Sequence, residues 1–133
     1  MLDMDTAFVT ALRADATLMA LVNDQVYWYL AAKDAVGPYL VLMAAGGTDN
    51  NYAGTDLRFA NYRVIAEGKV AYTVMQIADR VREVMHNATL SVAGSSSEMR
   101  CQAVGSNRNV VSVDDVIYTQ GITEFYVKWK NVY

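Results

Sequence analysis

The spacing of apolar positions predicts three helices. Asp3 or Asp5 can cap the first, which presents Phe8, Val9, Ala11 and Leu12 on one face. Asp15 is a cap for a second, short helix that ends at the Asn23-Asp24 turn signal. The third, from about residue 70 to 88, has apolar residues every three or four positions and so one wide apolar stripe.

Other segments have the composition or the alternation of strands. The closing segment alternates most regularly, with Phe125, Val127 and Trp129 between polar or amphipathic neighbours, which is typical of a half-buried strand. Pro38 can open a strand because its missing N–H is not yet needed there. Alternation shifts phase near Asn61, which predicts a bulge. The predicted strands cover residues 26–30, 39–43, 57–67, 99–104, 110–113 and 125–129.

Polar and glycine-rich segments separate these elements. Residues 46–56 hold three of the eight glycines and show no period, which predicts a long loop. Residues 93–97 are predicted to be a flexible linker and residues 105–109 a turn. Asp114 and Asp115 are best placed at the polar tip of a turn, because neighbouring strand positions point to opposite faces. Gly68 is expected to end the strand before the third helix.

The chain has more predicted strands than helices, and a parallel pair of strands usually needs a helix to connect them. The order of elements therefore predicts an α+β fold in which a mixed, mainly antiparallel sheet carries helices on one face. The chain has 133 residues, a usual size for one domain, and we expect residues 1–133 to form a single unit.

Composition narrows the class of protein. Hydrophobic residues make up 53% and charged residues 19% of the chain, which excludes intrinsic disorder and indicates that some apolar surface is buried against another chain. The single cysteine, Cys101, excludes an internal disulfide framework. A net charge of −3 has the wrong sign for a dedicated nucleic-acid binder.

Targeting patterns are missing from the sequence. Two acids stand near the start, where a signal peptide carries basic residues, and no apolar run has the length of a membrane span. We therefore expect the protein in the cytoplasm, without membrane contact.

Charge is distributed unevenly. Residues 1–56 carry two basic and seven acidic side chains, a balance of −5, whereas residues 57–133 carry nine and seven, a balance of +2. Such a dipole fits head-to-tail contacts between subunits, in which opposite patches meet. Solvated strand faces explain it equally well.

Candidate chemistry is sparse. His86 and Cys101 are the one possible base–nucleophile pair, but no third orienting group accompanies them, and a structural role is expected for both. A partial calcium-loop pattern from Asp49 fails at Ala53 and Ala60, where ligands are required. Gly46-Gly47 precedes neither a lysine nor a helix start, which excludes a phosphate-binding loop. No catalytic, cofactor or metal site is predicted.

The order of elements, together with four stretches, resembles the tail-completion or tail-terminator family of long-tailed, siphovirus-like bacteriophages. The stretches are ALRADATLMALVNDQVY at 11–27, GPYLVL at 37–42, IADRVREVM at 77–85 and FYVKW at 125–129. The resemblance implies a non-enzymatic virion protein without cofactors. It would form a ring, commonly hexameric, on the head-proximal end of the tail tube. There it would stop tube polymerisation and join the tail to the head–tail connector (stopper), with DNA passing transiently through the lumen.

Two sets of interface residues follow as hypotheses. The 46–56 segment, with Asp49 and the aromatic Tyr52, is expected to contact a ring above or below. The cations Arg58, Lys128 and Lys130 are expected to meet acidic patches of a neighbouring subunit that include Asp15, Asp24 or Asp34.

Three alternatives remain open at the level of the sequence. Another neck component, a stopper or adaptor ring, shares the ring architecture and the lack of chemistry. A homodimeric ligand-binding α+β domain could use the apolar helix face and the tyrosine-rich strands as a pocket. An enzyme based on His86 and Cys101 ranks last.

Overall fold

The computed structural model describes residues 2–32, 34–52, 55–90 and 98–132. The helices are α1 (Leu2–Arg13), α2 (Ala16–Val22) and α3 (Ala71–Met85). The strands are β1 (Val26–Trp28), β2 (Tyr39–Tyr52), β3 (Thr55–Gly68), β4 (Thr89–Leu90), β5 (Glu98–Val113) and β6 (Val116–Val132). They form one sheet in the order β1-β2-β3-β6-β5-β4. Among the described strands only β1 and β2 are parallel, so the predicted α+β fold with a mainly antiparallel sheet is confirmed.

The core lies between the helices and one face of the sheet. In β3 the residues that point to this face are Ala60, Tyr62, Val64 and Ala66, and all are buried. Phe8 of α1 stacks on Tyr62 with ring centroids 4.4 Å apart. Burial of such aromatic and branched side chains is the main force that joins the helical layer to the sheet.

The predicted cap of α2 is confirmed, but the predicted cap of α1 is wrong, because α1 starts at Leu2 and Asp3 and Asp5 therefore lie within the helix instead of before it. Asp15 accepts a hydrogen bond from the main-chain N–H of Leu18 at 2.9 Å and so caps α2, as predicted. Asn23 ends that helix in the left-handed conformation, with φ 52°. Helix α3 starts after Val70 and ends before His86, slightly inside the predicted range. No helix in the described residues is both long and apolar enough to span a membrane.

The prediction of a loop over residues 46–56 is wrong for residues 46–52 and 55–56, and the remaining two residues lie outside the described part of the chain. Strand β2 continues to Tyr52 and β3 starts at Thr55, so the two form a long hairpin. Local composition was a poor guide here because strand formation depends on the neighbouring ladder, and β6 pairs with β3 along its whole length. The predicted 93–97 linker lies outside the described residues.

The predicted turn at residues 105–109 is also wrong, since β5 continues through it and only shifts register between Ala103 and Gly105. The turn lies instead at Asp114 and Asp115, as predicted for that pair, with φ values of 52° and 64°. Two consecutive positive φ values are typical of a type I′ hairpin, and polar Asp tolerates them better than branched residues do.

The bulge expected near Asn61 lies on the partner strand. Strand β3 alternates without interruption, whereas β2 places both Ala45 and Gly46 between the partners of Tyr62 and Ala60. The shift in sequence phase near Asn61 thus reflects an extra residue across the ladder, which bends β2 locally.

Candidate interaction surfaces

The two residues with the most reactive side chains, Cys101 and His86, have structural roles in the fold. Cys101 is buried in β5, and this burial raises the pKa of its thiol to about 12. The Nδ1 atom of His86 accepts a hydrogen bond from the main-chain N–H of Ala103 at 3.0 Å. A protonated, buried thiol is a poor nucleophile, and this imidazole fastens the end of α3 to β5. Within the described chain, no three His, Cys, Asp or Glu side chains come close enough to hold a metal ion.

Asp15 is engaged within its own chain. Its carboxylate accepts hydrogen bonds from Arg80 at 2.7 and 2.9 Å, in addition to the bond from Leu18. The hydrogen bonds from the Arg80 guanidinium hold the pKa of this carboxyl below its ordinary value, against the opposing effect of partial burial. Asp15 therefore links α2 to α3 and has less capacity left for a neighbouring subunit.

The other two acids of the predicted patch are available. Asp24 is exposed directly after α2, in the left-handed conformation with φ 60°. Asp34 is exposed in the connection from β1 to β2. Both thus lie near the β1–β2 side of the sheet.

The predicted cations lie on the central strands β3 and β6. Lys128 is exposed and is paired with Phe59 on one side and with the exposed Arg100 of β5 on the other. Arg58 pairs with Asp49 and with Trp129, and Lys130 pairs with Leu57. The side chains of Asp49, Tyr52, Arg58 and Lys130 lie outside the described part of the structure. The register nevertheless makes Asp49 and Arg58 direct cross-strand neighbours, although the sequence had assigned them to different contacts.

The sheet face opposite the helices is partly apolar. Residues of β2 that alternate with the core positions Leu40 and Leu42 point to this face. Among them, the side chain of Val41 is only 8% exposed to solvent. Tyr27 and Tyr39 meet edge to face at 6.0 Å, and Phe59 stacks on Tyr126 at 5.7 Å. These aromatic pairs bury one another and are interspersed with the charged pair Arg63–Glu124, whose atoms are 2.9 Å apart.

A groove of about 510 Å³ opens between the start of α3 and the connection from β1 to β2. Its wall is mainly apolar and includes Val36, Pro38, Val70 and Tyr118, with Lys69 as the cation. Val36 and Val70 are 81% and 60% exposed. The groove has the size of a small-ligand site but lacks a converging set of polar groups among its lining residues.

Sequence reasoning missed the outer edge of β5. From Ser106 to Val110 the side chains are exposed, whichever face they point to. The main-chain N–H groups of Arg108 and Val110 donate to the side-chain oxygens of Asn107 and Asn109, at 2.8 and 3.0 Å. The sequence signal for this edge is an asparagine directly before each of two alternate strand residues, Arg108 and Val110. Together with Gly105, however, the asparagines have the composition of a turn, and a turn was predicted there.

Comparisons with known proteins point in one direction. The sequence model of the family described as Tail completion protein gp17 matches residues 6–114. The fold is similar to a chain in the structure of the virion of a native gene transfer agent particle, with a TM-score of 0.77 and 19% identity, over 95% of this chain and 93% of that one. A second solved structure has a TM-score of 0.58 and 18% identity, over 94% and 92% of the two chains. The sequence matches none of the curated proteins with which it was compared.

Proposed function

Because the chain belongs to the Tail completion protein gp17 family and is thus a structural protein of the phage tail, we propose that it forms a hexameric ring on the head-proximal end of the tail tube. In this position it ends tube polymerisation and joins the tail to the head–tail connector. The observation that carries the proposal is the family match over residues 6–114. The similarity of the fold to a chain of a virion, over nearly its whole length, supports it.

The distribution of charge supports a head-to-tail ring. The acidic Asp24 and Asp34 lie near β1 and β2, at one side of the sheet, while Arg100 and Arg108 lie on β5, toward the other, where the turn after β5 also carries Asp114 and Asp115. In a closed ring each subunit presents one side to its neighbour's opposite side, so the arginines of β5 can meet the acids of the next copy. Lys128, Arg58 and Lys130 lie on the central strands β3 and β6, and we propose that they extend this contact from there.

The proposed role is structural and uses no cofactor. Its partners are further copies of the chain, the tail tube protein and the connector (stopper) protein. DNA passes through the lumen only in transit, and a chain with net charge −3 avoids the dense phosphate contacts that would hold it there. The protein would assemble in the host cytoplasm and remain in the neck of the virion.

The end of the β2–β3 hairpin is proposed to contact the ring above or below. Asp49 and Tyr52 lie on β2 near this end. Replacement of Tyr52 by Ala tests the contact better than deletion of the segment, which would remove paired strand residues. Head–tail joining should fall while the ring still forms. Normal joining by Tyr52→Ala particles would contradict this role for Tyr52.

The central experiment is the mass of the purified protein in solution, measured by mass photometry with and without tail tube protein. A ring of about six subunits, formed alone or only with the tube, is the expected result. Electron microscopy of the mixture should show the ring at one end of each tube and tubes of limited length. A monomer or dimer that ignores the tube would overturn the proposal. A ring that binds the connector but not the tube would identify a stopper or adaptor instead.

A further inference from the structure

Among the residues that the structure describes, two long strand stretches have no partner on one side. Strand β1 pairs only with Leu40–Leu42 of β2, so residues 43–52 of β2 pair with β3 alone in the described chain. Strand β4 pairs only with Met99 and Arg100, so most of β5 pairs with β6 alone. Unpaired edges of this length attract other strands unless something covers them.

The edge of β5 is covered by its own side chains. Because Val113 and Val116 close the two-residue turn, alternate main-chain N–H groups of β5 point away from β6. Those of Arg108 and Val110 are among them, and they donate to the side chains of Asn107 and Asn109 instead of to a strand. Both asparagines are exposed, and Asn109 also donates through Nδ2 to Oε1 of Gln120 at a long 3.3 Å, so both side chains can turn away when a strand supplies better acceptors.

Another copy of this chain can supply that strand without disturbing the pattern of the sheet. The four long strands run antiparallel in the order β2-β3-β6-β5. Since their number is even, β5 of one copy and β2 of the next, in the same orientation about a ring axis, are again antiparallel. The free stretch of β2 lies toward the β2–β3 hairpin and that of β5 toward the turn at Asp114 and Asp115. Pairing them offsets successive copies along the strands, and a closed barrel requires such a stagger.

Charge favours the same neighbour. The free stretch of β2 carries one charged residue, Asp49, and the free stretch of β5 up to its turn carries one, Arg108. The turn that follows β5 carries the exposed Asp114 and Asp115, so charge favours the pairing of β5 with β2 in the register that places Arg108 opposite Asp49.

We propose that neighbouring subunits are joined by antiparallel addition of β5 of one copy to β2 of the next, with Asn107 and Asn109 capping the β5 edge until the neighbour arrives. The proposal rests on the ring of the proposed function and names the contact that closes it. A closed ring of this kind leaves no free edge, whereas a single subunit is protected from unordered aggregation by the asparagine caps.

Proline at an outward-facing amide separates edge pairing from folding. Val110→Pro removes an N–H that no strand of its own subunit uses, so the subunit should fold. Val110→Thr is the matched control, because it keeps the N–H and a β-branched side chain. Val110→Pro should raise the subunit concentration for half-assembly about tenfold or more, because each interface loses a hydrogen bond and meets a steric block. Val110→Thr should assemble as the unaltered chain does.

Thermal unfolding and circular dichroism of each variant show whether the subunit is folded. Ser112→Pro, at another outward-facing position of β5, and Asp49→Pro, on the edge of β2, repeat the test at independent sites. If the unaltered protein forms rings and all folded proline variants form them equally well, the edge contact is wrong while the proposed function stands. If the unaltered protein forms no ring with or without the tube, the proposed function itself fails.

Removal of the caps should have the opposite effect. Asn107→Ala combined with Asn109→Ala exposes the two N–H groups, and we expect assembly at lower subunit concentration or without tube protein. The same variant combined with Val110→Pro should lose that gain. Unchanged assembly by the double alanine variant would overturn the capping role. Indefinite fibres instead of rings would show that the edge accepts strands but does not close a ring, and would overturn the proposed neighbour contact.

Discussion

The carboxylate of Asp15 holds the guanidinium of Arg80 through hydrogen bonds of 2.7 and 2.9 Å, and these residues are 65 positions apart. The same carboxylate caps α2 through the N–H of Leu18. The side chain of Asp15 therefore accepts a hydrogen bond from a free N–H at the start of α2. It also fixes the position of α2 against α3, which packs on the sheet. The side chain of Asp15 is only 18% exposed, so water competes weakly for these bonds.

Replacement of Asp15 by Ala should destabilise the subunit by about 1–2 kcal/mol, because a helix cap is lost and α2 loses its link to α3. Urea unfolding followed by circular dichroism measures the change. Arg80→Met keeps the cap and removes the link, so it should cost less than Asp15→Ala. Equal stability of the Asp15→Ala variant and the unaltered chain would show that neither contact matters.

The Asp15 link should also make stability depend on pH. Its hydrogen bonds from Arg80 lower the pKa of the carboxyl in the folded state relative to the unfolded state. The contribution of this carboxyl to the free energy of unfolding is therefore complete above its pKa in the unfolded state, about 4. It is lost as pH falls from there through the lower pKa of the folded state. The difference in unfolding free energy between the unaltered chain and Asp15→Asn should shrink over this acidic window. A difference that stays constant there would contradict the assignment.

Gly121 sets the distance between β6 and α3. A Cβ atom at this position would lie 2.7 Å from the Cβ of Ala78, which is too close for two carbons. Gly121→Ala should therefore lower stability by about 1–3 kcal/mol through overpacking. Gly105→Ala is the matched control, since a Cβ there meets only ordinary contacts at 3.7 Å and beyond. Thermal melting of both variants checks the contrast, and similar melting temperatures would refute the tight contact.

Partial rescue provides a second check on this contact. Ala78→Gly removes the opposing Cβ but places glycine inside a helix, which alone costs about 1 kcal/mol. Combined with Gly121→Ala, it should cost less than the sum of the two single changes. Additive losses would mean that the two positions do not touch.

Cys101 should be inert in the folded protein. Burial raises the pKa of its thiol to about 12, so thiolate is scarce near neutral pH, and the side chain is inaccessible. A thiol-specific chromogenic reagent should react slowly with the native subunit and rapidly in denaturant. Rapid labelling without denaturant would contradict the placement of Cys101 in the core.

Subunit contacts between the basic and acidic sides should weaken with salt. In this hypothesis the three cations Lys128, Arg58 and Lys130 meet Asp24 and Asp34 of a neighbour. As ionic strength rises, the ring should then dissociate at a higher subunit concentration, because exposed charges are screened. Lys128→Glu should weaken the ring further, and Arg82→Glu, at an exposed cation on α3, is its control. Mass photometry over a salt series measures both effects. A ring indifferent to salt and to Lys128→Glu would exclude this charge contact.

Local patterns determined the helices and several boundaries of the strands. Asp15 predicted its cap because capping involves a main-chain N–H only three residues away, and the stripe of α3 follows directly from helical periodicity. Asp114 and Asp115 predicted the hairpin turn for the same local reason. Element order was also sufficient to predict the α+β class, and the resemblance of four sequence stretches to the tail-completion family is confirmed by the family match.

Only the tertiary structure decided what the polar segments do. Residues 46–56 and 105–109 have the composition of loops, but residues 46–52, 55–56 and 105–109 are strand because β3 and β6 provide continuous partners along their length. The pairing of Asp49 with Arg58, the link from Asp15 to Arg80 and the capped edge at Asn107 and Asn109 depend on register and on contacts between distant segments. Such contacts are set by the packing of the whole sheet, since strand propensity is weak beside the effect of neighbouring strands.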